Sequence, residues 1–218
     1  MTGPREGLAG HDGLGAAVEN AAFVLALRGR GTRDTGVLRA MEQVPRARFA
    51  PPAHRHLARR DLALPLPCGA AMAAPSTVAT MLTLLRVEAG MRVLEIGTGS
   101  GYVTALLLHL GADAVTGLER YATLAALATA SLDGARAQVV QGDGLAEAGE
   151  GGFDRILVHG AVAMPPPHWA AALNPGGRLV AGSGTGLVVA ARTAAGLRAE
   201  PGPPLRLARL VPGRASAL

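Results

Sequence analysis

The feature that most constrains the fold of this chain is the run Val93-Leu94-Glu95-Ile96-Gly97-Thr98-Gly99-Ser100-Gly101-Tyr102. In it an apolar strand passes straight into a Gly-x-Gly-x-Gly turn that opens a helix. Glycines let the backbone turn sharply and leave main-chain atoms open to a ligand that a side chain would block. Glycine spacing alone is weak evidence. Here, however, Glu119 follows 20 residues after Gly99 at the end of the next β-rich run, where a carboxylate can accept both hydroxyl protons of a ribose. The turn predicts a nucleotide-like ligand at the carboxyl edge of a parallel sheet.

The surrounding texture agrees with such a sheet. After Gly90, β-rich runs alternate with helical ones: 92–96 then 102–110, 114–119 then 122–132, 137–141, 155–159 then 167–173, and 178–181. Alternation of this kind means βαβ units with right-handed crossovers, hence a doubly wound, mainly parallel α/β sheet with helices on both faces. The strand-like runs 187–193 and 205–211 are joined only by Gly- and Pro-rich links too short for a helix, which predicts antiparallel strands at the C-terminal sheet edge.

Ahead of Gly90 the chain reads as a helical extension. Leu14, Val18, Ala21, Ala22 and Leu25 recur at helical spacing and predict one helix over 14–27 with those residues on one face. A second helix is expected over 35–43, stopped by Pro45, and a third over 76–85. Between them, 62–75 holds three prolines among small and apolar residues and predicts an ordered, partly buried loop. The expected organisation is a loose N-terminus over 1–15 and one domain over 16–218, with 16–88 as helical preface and substrate loop and 89–218 as the ligand-binding core. A chain of 218 residues is long enough for one substantial core.

Composition removes several function classes. A hydrophobic fraction of 49% with 17% charged residues belongs to a globular protein. The formal charge is +5, every basic residue is Arg, and nine arginines fall between Arg28 and Arg60, a pattern open to nucleic acid, to an acidic peptide, or to simple solvation. Aromatic residues are only 3%, with Tyr102, Tyr121 and Trp169 far apart, so no platform for stacking bases is evident and no nucleic-acid partner is expected. One cysteine, Cys68, excludes an internal disulfide and a cysteine-rich zinc site, and no metal is expected. With neither a signal-type apolar segment at the start nor a run of about 18 apolar residues, the chain is expected to be soluble and cytoplasmic, with no membrane partner.

Spacing does not by itself separate a dinucleotide from S-adenosyl-L-methionine. In this turn, though, the third glycine follows the second after one residue, and Glu95 lies within the preceding strand. Glu95-Ile96-Gly97-Thr98-Gly99 resembles motif I of the class I S-adenosylmethionine-dependent methyltransferases. The resemblance implies that Glu95, Gly97, Thr98, Gly99, Ser100 and Gly101 surround the methionine part of that cofactor. It also puts Glu119, with Arg120 beside it, at the ribose, and Asp143 of Gly142-Asp143-Gly144 at the adenine amino group.

The resemblance sharpens outside this core. Gly29, Gly31, Asp34, Val37-Leu38, Ala40-Met41, Val44-Pro45-Arg46, Phe49 and Pro51 are similar to the N-terminal signature of the protein-L-isoaspartate O-methyltransferases. Leu64-Pro65, Gly69, Pro75, Phe153-Asp154-Arg155-Ile156, Pro175-Gly176-Gly177-Arg178-Leu179 and Leu210-Val211-Pro212 continue it. This family resemblance covers Phe23 to Pro212. It implies methylation of the α-carboxylate of an L-isoaspartyl residue in damaged protein, after which the ester collapses to a succinimide that reopens partly as aspartate. A carboxylate is ionised near neutral pH, so alignment and desolvation suffice and no strong base is required.

Two departures bear on the acceptor. The family reads Leu-Pro-Ile-Gly-x-Gly-Gln-Thr-Ile-Ser-x-Pro where this chain has Leu64-Pro65-Leu66-Pro67-Cys68-Gly69-Ala70-Ala71-Met72-Ala73-Ala74-Pro75, so the hydrogen-bonding side chains become Ala70, Ala71 and Ala73. Ala73 stands where the family's Ser contacts the substrate carboxylate. After the fourth strand, the family's Thr-Ala-Ala becomes His159-Gly160-Ala161, and His159 is either a general base for a hydroxyl, amine or thiol acceptor or a structural residue. Three readings stay open: a carboxyl O-methyltransferase of protein or peptide substrates, including one dedicated partner peptide; a small-molecule methyltransferase using His159; and a cofactor-binding protein without turnover. Cys68 is either a reactive thiol or an inert small hydrophobe.

Overall fold

The computed structural model describes residues 9–132 and 134–217, leaving aside the side chains of residues 9–14 and 16. Its helices are α1 (Ala9–Gly29), α2 (Thr35–Gln43), α3 (Arg46–Phe49), α4 (Pro75–Leu85), α5 (Tyr102–His109), α6 (Ala122–Ser131) and α7 (Pro167–Ala172). Its strands are β1 (Leu64–Pro65), β2 (Ala71–Met72), β3 (Arg92–Ile96), β4 (Ala114–Glu119), β5 (Ala137–Gln141), β6 (Phe153–Ala161), β7 (Leu173–Gly182), β8 (Leu187–Thr193) and β9 (Gly196–Pro201). No helix among the described residues is long and apolar enough to cross a membrane.

The main sheet has the order β5-β4-β3-β6-β7-β8-β9. The five strands from β5 to β7 run parallel, while β8 and β9 are antiparallel additions. Side chains alternate across β3: Val93 joins the core beneath α1, α2, α4 and α5, and Leu94 and Ile96 join the core around Trp169 and Phe153 on the opposite face. Both faces being covered, the central strands are mostly apolar, as a buried parallel sheet requires, with Glu95 of β3 and His159 of β6 as polar exceptions near their carboxyl ends.

Three local expectations are corrected. In α1, Val18 and Leu25 are 61% and 65% exposed, whereas Phe23 and Leu27, four residues apart, are buried. Alanines at 17, 21, 22 and 26 make this helix apolar around most of its circumference, so spacing alone does not select a face. The two large side chains that fill space against α2 and α4 decide it. Leu14 and the N-terminal residues 1–8 lie outside the described side chains, and the helical backbone begins at Ala9, ahead of position 14.

The second correction concerns the sheet edge. The last strand is β9, joined to β8 by a tight hairpin over Ala194 and Ala195, and 205–211 is an irregular segment with one isolated bridge, Ala161 to Arg209. Pro203 and Pro204 cannot donate to a ladder, and they end the pairing before the second apolar run begins. The third concerns 62–75, which folds as a small hairpin of β1 and β2 around a 3-10 turn at Pro67–Gly69.

Candidate cofactor and acceptor site

From β3 the chain proceeds to β4 and β5 on one side, then crosses back to place β6 on the other. The loops leaving β3 and β6 therefore diverge and open a crevice at their carboxyl ends, the place where open α/β sheets bind ligands. A cleft of about 490 Å³ lies there. Its lining includes the glycine turn, Glu119, Asp143, His159, the hairpin residues 70–74 and the segment 206–211.

The glycine turn is built by positive φ angles of 86° at Gly97, 59° at Gly99 and 82° at Gly101, which ordinary L-residues adopt only with strain. Gly97 N donates to the Leu118 carbonyl at 2.8 Å and fastens the turn to β4. Buried Glu119 accepts from Gly99 N at 2.9 Å through one oxygen and from Tyr121 N at 3.0 Å through the other. A carboxylate offers about four lone-pair sites, so each oxygen retains acceptor capacity for a hydroxyl donor while the backbone fixes its orientation. Thr98 and Ser100 are buried within the turn, and the Thr98 hydroxyl has no partner among the described residues.

Asp143 caps the loop after β5, taking Leu145 N at 2.9 Å on one oxygen and Gly213 N at 2.6 Å on the other. Gly142 N donates to the Glu119 carbonyl at 3.0 Å, so the ends of β4 and β5 are held together. A Cβ on Gly144 would lie 2.3 Å from Ile96, so only glycine lets this loop close against β3, and its carbonyl accepts from the fully buried Trp169 at 2.7 Å. Arg120 lines the cleft, but its guanidinium is engaged by the carbonyls of Pro212 and Gly213 and packs over the Tyr121 ring at 4.6 Å. It fastens the C-terminal segment over the ends of β4 and β5.

On the other side of the turn, Glu95 is fully buried in β3. Thr104 of α5 donates to one of its oxygens, and His159 Nε2 lies 2.9 Å from the other. A carboxylate accepts only, so this contact places a ring proton on Nε2. His159 packs against the turn itself: a Cβ on Gly97 would come within 3.3 Å of His159 Cβ. The pair Glu95 and His159, quoted separately from the sequence, thus forms one unit at the switch point.

The hairpin wall of the cleft depends on Arg46, which follows Val44-Pro45. Arg46 is buried, and its guanidinium donates to the carbonyls of Ala58 at 3.1 Å, Leu62 at 3.1 Å and Ala73 at 3.0 Å. Burial lowers its pKa, opposed by Tyr102 and Asp61, and burial pushes the Tyr102 hydroxyl well up, opposed by Arg46. Asp61 in turn caps α4 through Ser76 N at 2.8 Å and pairs with Arg30 at 2.6 Å. The helical preface is therefore clamped to residues 72–76. The one available signal is an Arg directly after Val44-Pro45, and spacing does not show which carbonyls it reaches.

Ala73 and Ala74 line the cleft, and their backbone N–H groups have no hydrogen-bond partner among the described residues. Cys68 sits half-exposed at the hairpin tip with φ of 61°, a conformation a non-glycine residue holds only with strain. No cluster of three His, Cys, Asp or Glu side chains able to hold a metal ion occurs among the described residues.

Comparison with known proteins agrees with this architecture. Residues 18–192 match the family described as Protein-L-isoaspartate(D-aspartate) O-methyltransferase. Protein-L-isoaspartate O-methyltransferase 2 of Rhodopseudomonas palustris (strain HaA2) is 49% identical over 172 residues, covering 77% of this chain and 79% of the relative. The enzyme of Xanthobacter autotrophicus is 50% identical over 151 residues, covering 67% of this chain and 68% of its own length. Among solved structures, a Plasmodium falciparum protein-L-isoaspartate O-methyltransferase in complex with S-adenosyl-L-homocysteine shares the fold, with a TM-score of 0.77 at 21% identity over 87% of this chain and 97% of that one. A strand-turn-helix cradle beside a fixed carboxylate, on a sheet of this order, together with a family match over most of its length, assigns the chain to the protein-L-isoaspartate O-methyltransferase family.

Proposed function

We propose that this chain transfers the methyl group of S-adenosyl-L-methionine to the α-carboxylate of an L-isoaspartyl residue in a protein or peptide. The observation that carries the reading is the meeting of two walls in one cleft: a cofactor cradle made by the glycine turn and Glu119, and a facing hairpin whose backbone N–H groups at Ala73 and Ala74 have no partner among the described residues. The residues present fit the cofactor. Glu119 is fixed for ribose hydroxyls, the turn from Gly97 to Gly101 leaves main-chain atoms open to the methionine part, and Gly142, Asp143 and Gly144 border the adenine end.

When bound, S-adenosyl-L-methionine supplies an electrophilic methyl on a sulfonium. The work left to the chain is to orient an already ionised carboxylate and to exclude water. Ala70, Ala71 and Ala73 offer no side-chain donors, so the N–H groups of Ala73 and Ala74 take over the hold on the acceptor, and Arg46 keeps them in place through the Ala73 carbonyl. The test is radiolabelled methyl transfer to an isoaspartyl peptide and to its aspartyl counterpart, with wild type and Ala73→Ser side by side. Wild type should methylate the isoaspartyl peptide slowly, and Ala73→Ser should gain several-fold in kcat/KM, because a hydroxyl donor beside the acceptor carboxylate improves its binding and alignment by about 1 kcal/mol. No transfer by either protein despite cofactor binding would reject the acceptor.

A second reading is favoured by one observation, the Glu95 and His159 pair. A carboxylate acceptor has no proton to remove, yet an imidazole held by a buried carboxylate has its Nδ1 acceptor free to take one from a hydroxyl, amine or thiol. Under this reading His159→Ala should lose at least about tenfold in kcat on such an acceptor, with recovery by added imidazole, while transfer to a carboxylate stays within about twofold. An equal fall on both acceptors, without rescue, would return His159 to holding the turn.

A further inference from the structure

The segment 205–211 forms the last wall of the cleft, and its backbone is firmly seated. Ala161 N donates to the Ala208 carbonyl at 2.7 Å, and Leu210 N donates to the Ala161 carbonyl at 3.0 Å. Leu207 and Leu210 face inward. A Cβ on Gly160 would lie 2.5 Å from Leu210, so the glycine after His159 is what lets the segment lie against the end of β6. With the leucines turned in, Arg206 and Arg209 are exposed at the cleft mouth, and neither guanidinium has an ion pair or hydrogen bond among the described residues. The acids lining the same cleft are committed elsewhere: Glu119 to Gly99 and Tyr121, Asp143 to Leu145 and Gly213.

We infer that Arg206 and Arg209 form a cationic rim that selects acceptor peptides carrying carboxylates beside the methylated residue. This rests on the acceptor proposed above and adds its sequence context. Two uncompensated guanidiniums at the mouth of a partly dehydrated cleft raise the local concentration of anionic peptide and pair with its side chains at closest approach. They do not act on the reacting carboxylate. Methyl transfer converts that anion into a neutral ester, so a guanidinium bonded to the reacting oxygens would stabilise the ground state over a transition state that is losing its charge. The rim is therefore a binding device, and its effect belongs in KM.

The experiment compares two isoaspartyl peptides of equal length, one with Asp and Glu at the flanking positions and one with Asn and Gln there. Wild type and the double variant Arg206→Gln/Arg209→Gln are assayed at low and high salt. Wild type should show KM lower for the acidic peptide by roughly fivefold to twentyfold at low salt, with equal kcat and a gap that narrows as salt is added. The double variant should lose the gap, keep kcat on the neutral peptide, and keep wild-type affinity for S-adenosyl-L-homocysteine. Reversal to Arg206→Glu/Arg209→Glu should turn the preference toward a peptide flanked by Lys.

Fluorescence anisotropy of the same labelled peptides on protein saturated with S-adenosyl-L-homocysteine reads the rim without turnover. Acidic preference there with no methyl transfer would reject the acceptor and keep the rim. Transfer to both peptides with equal KM, or a preference that survives the double variant, overturns the rim. So does a DNA oligonucleotide or an anionic vesicle that binds through these arginines more tightly than the acidic peptide.

Discussion

Arg46→Met should lower the melting temperature by roughly 10 °C and, where the protein is still folded, cut methyl-transfer efficiency by more than about tenfold while sparing cofactor affinity. The side chain is buried, and three well-placed carbonyls, those of Ala58, Leu62 and Ala73, lose their donor when it is replaced. An unsatisfied buried acceptor costs about 1–3 kcal/mol, and partial rearrangement brings the total to about 3–5 kcal/mol. For a chain of this length each kcal/mol shifts the midpoint by roughly 2–4 °C. The loss of activity has a separate origin: without Arg46 the Ala73 carbonyl is free to swing, and the N–H groups of Ala73 and Ala74 lose the alignment that the proposed acceptor hold requires. Thermal melts with and without S-adenosyl-L-homocysteine, calorimetry for its affinity, and kcat/KM on peptide separate the two effects. Arg46→Lys should recover part of the stability and little of the alignment, since an ammonium lacks the planar fork that spans three carbonyls. A melting temperature within about 2 °C of wild type would mean that the clamp is dispensable.

Glu119→Ala should weaken cofactor binding by roughly tenfold to 150-fold, the range that corresponds to losing a charge-assisted contact of about 1.5–3 kcal/mol. Two contributions add. The ribose loses its acceptor, and Gly99 N and Tyr121 N lose the carboxylate that fixes the turn against β4. Glu119→Gln separates them: its amide oxygen still accepts from one backbone N–H, so the turn is partly held while the charge is gone. Calorimetric titration with S-adenosyl-L-homocysteine gives both affinities. Unchanged binding in Glu119→Ala, or tighter binding of NAD by wild type, would reject the cofactor assignment.

How far these residues could be read in advance differs from one to the next. The glycine turn and Glu119 were legible because their partners are close in sequence and β-α-β geometry leaves them little freedom: the turn after β3 and the end of β4 must be neighbours. Glu95 and His159 were each visible, but their pairing was not, because 64 residues separate them and only the crossover from β5 to β6 puts β6 beside β3. The run 205–211 was legible as apolar alternation and read as a strand. Its leucines do face inward, yet prolines at 203 and 204 deny it a ladder, and it became the wall that holds Arg206 and Arg209.

The sequence by itself determined the sheet class, the glycine turn after β3 and the absence of side-chain donors at Ala70, Ala71 and Ala73, since each depends on periodicity, turn chemistry or residue type within a short stretch. Tertiary structure alone decided which face of α1 is buried, what Arg46 clamps, and which arginines at the cleft have no partner among the described residues. These outcomes depend on competition among many possible partners. An apolar helix surface or a guanidinium can be satisfied in several ways, and only the packed chain, with all its elements competing for the same space and the same carbonyls, selects one.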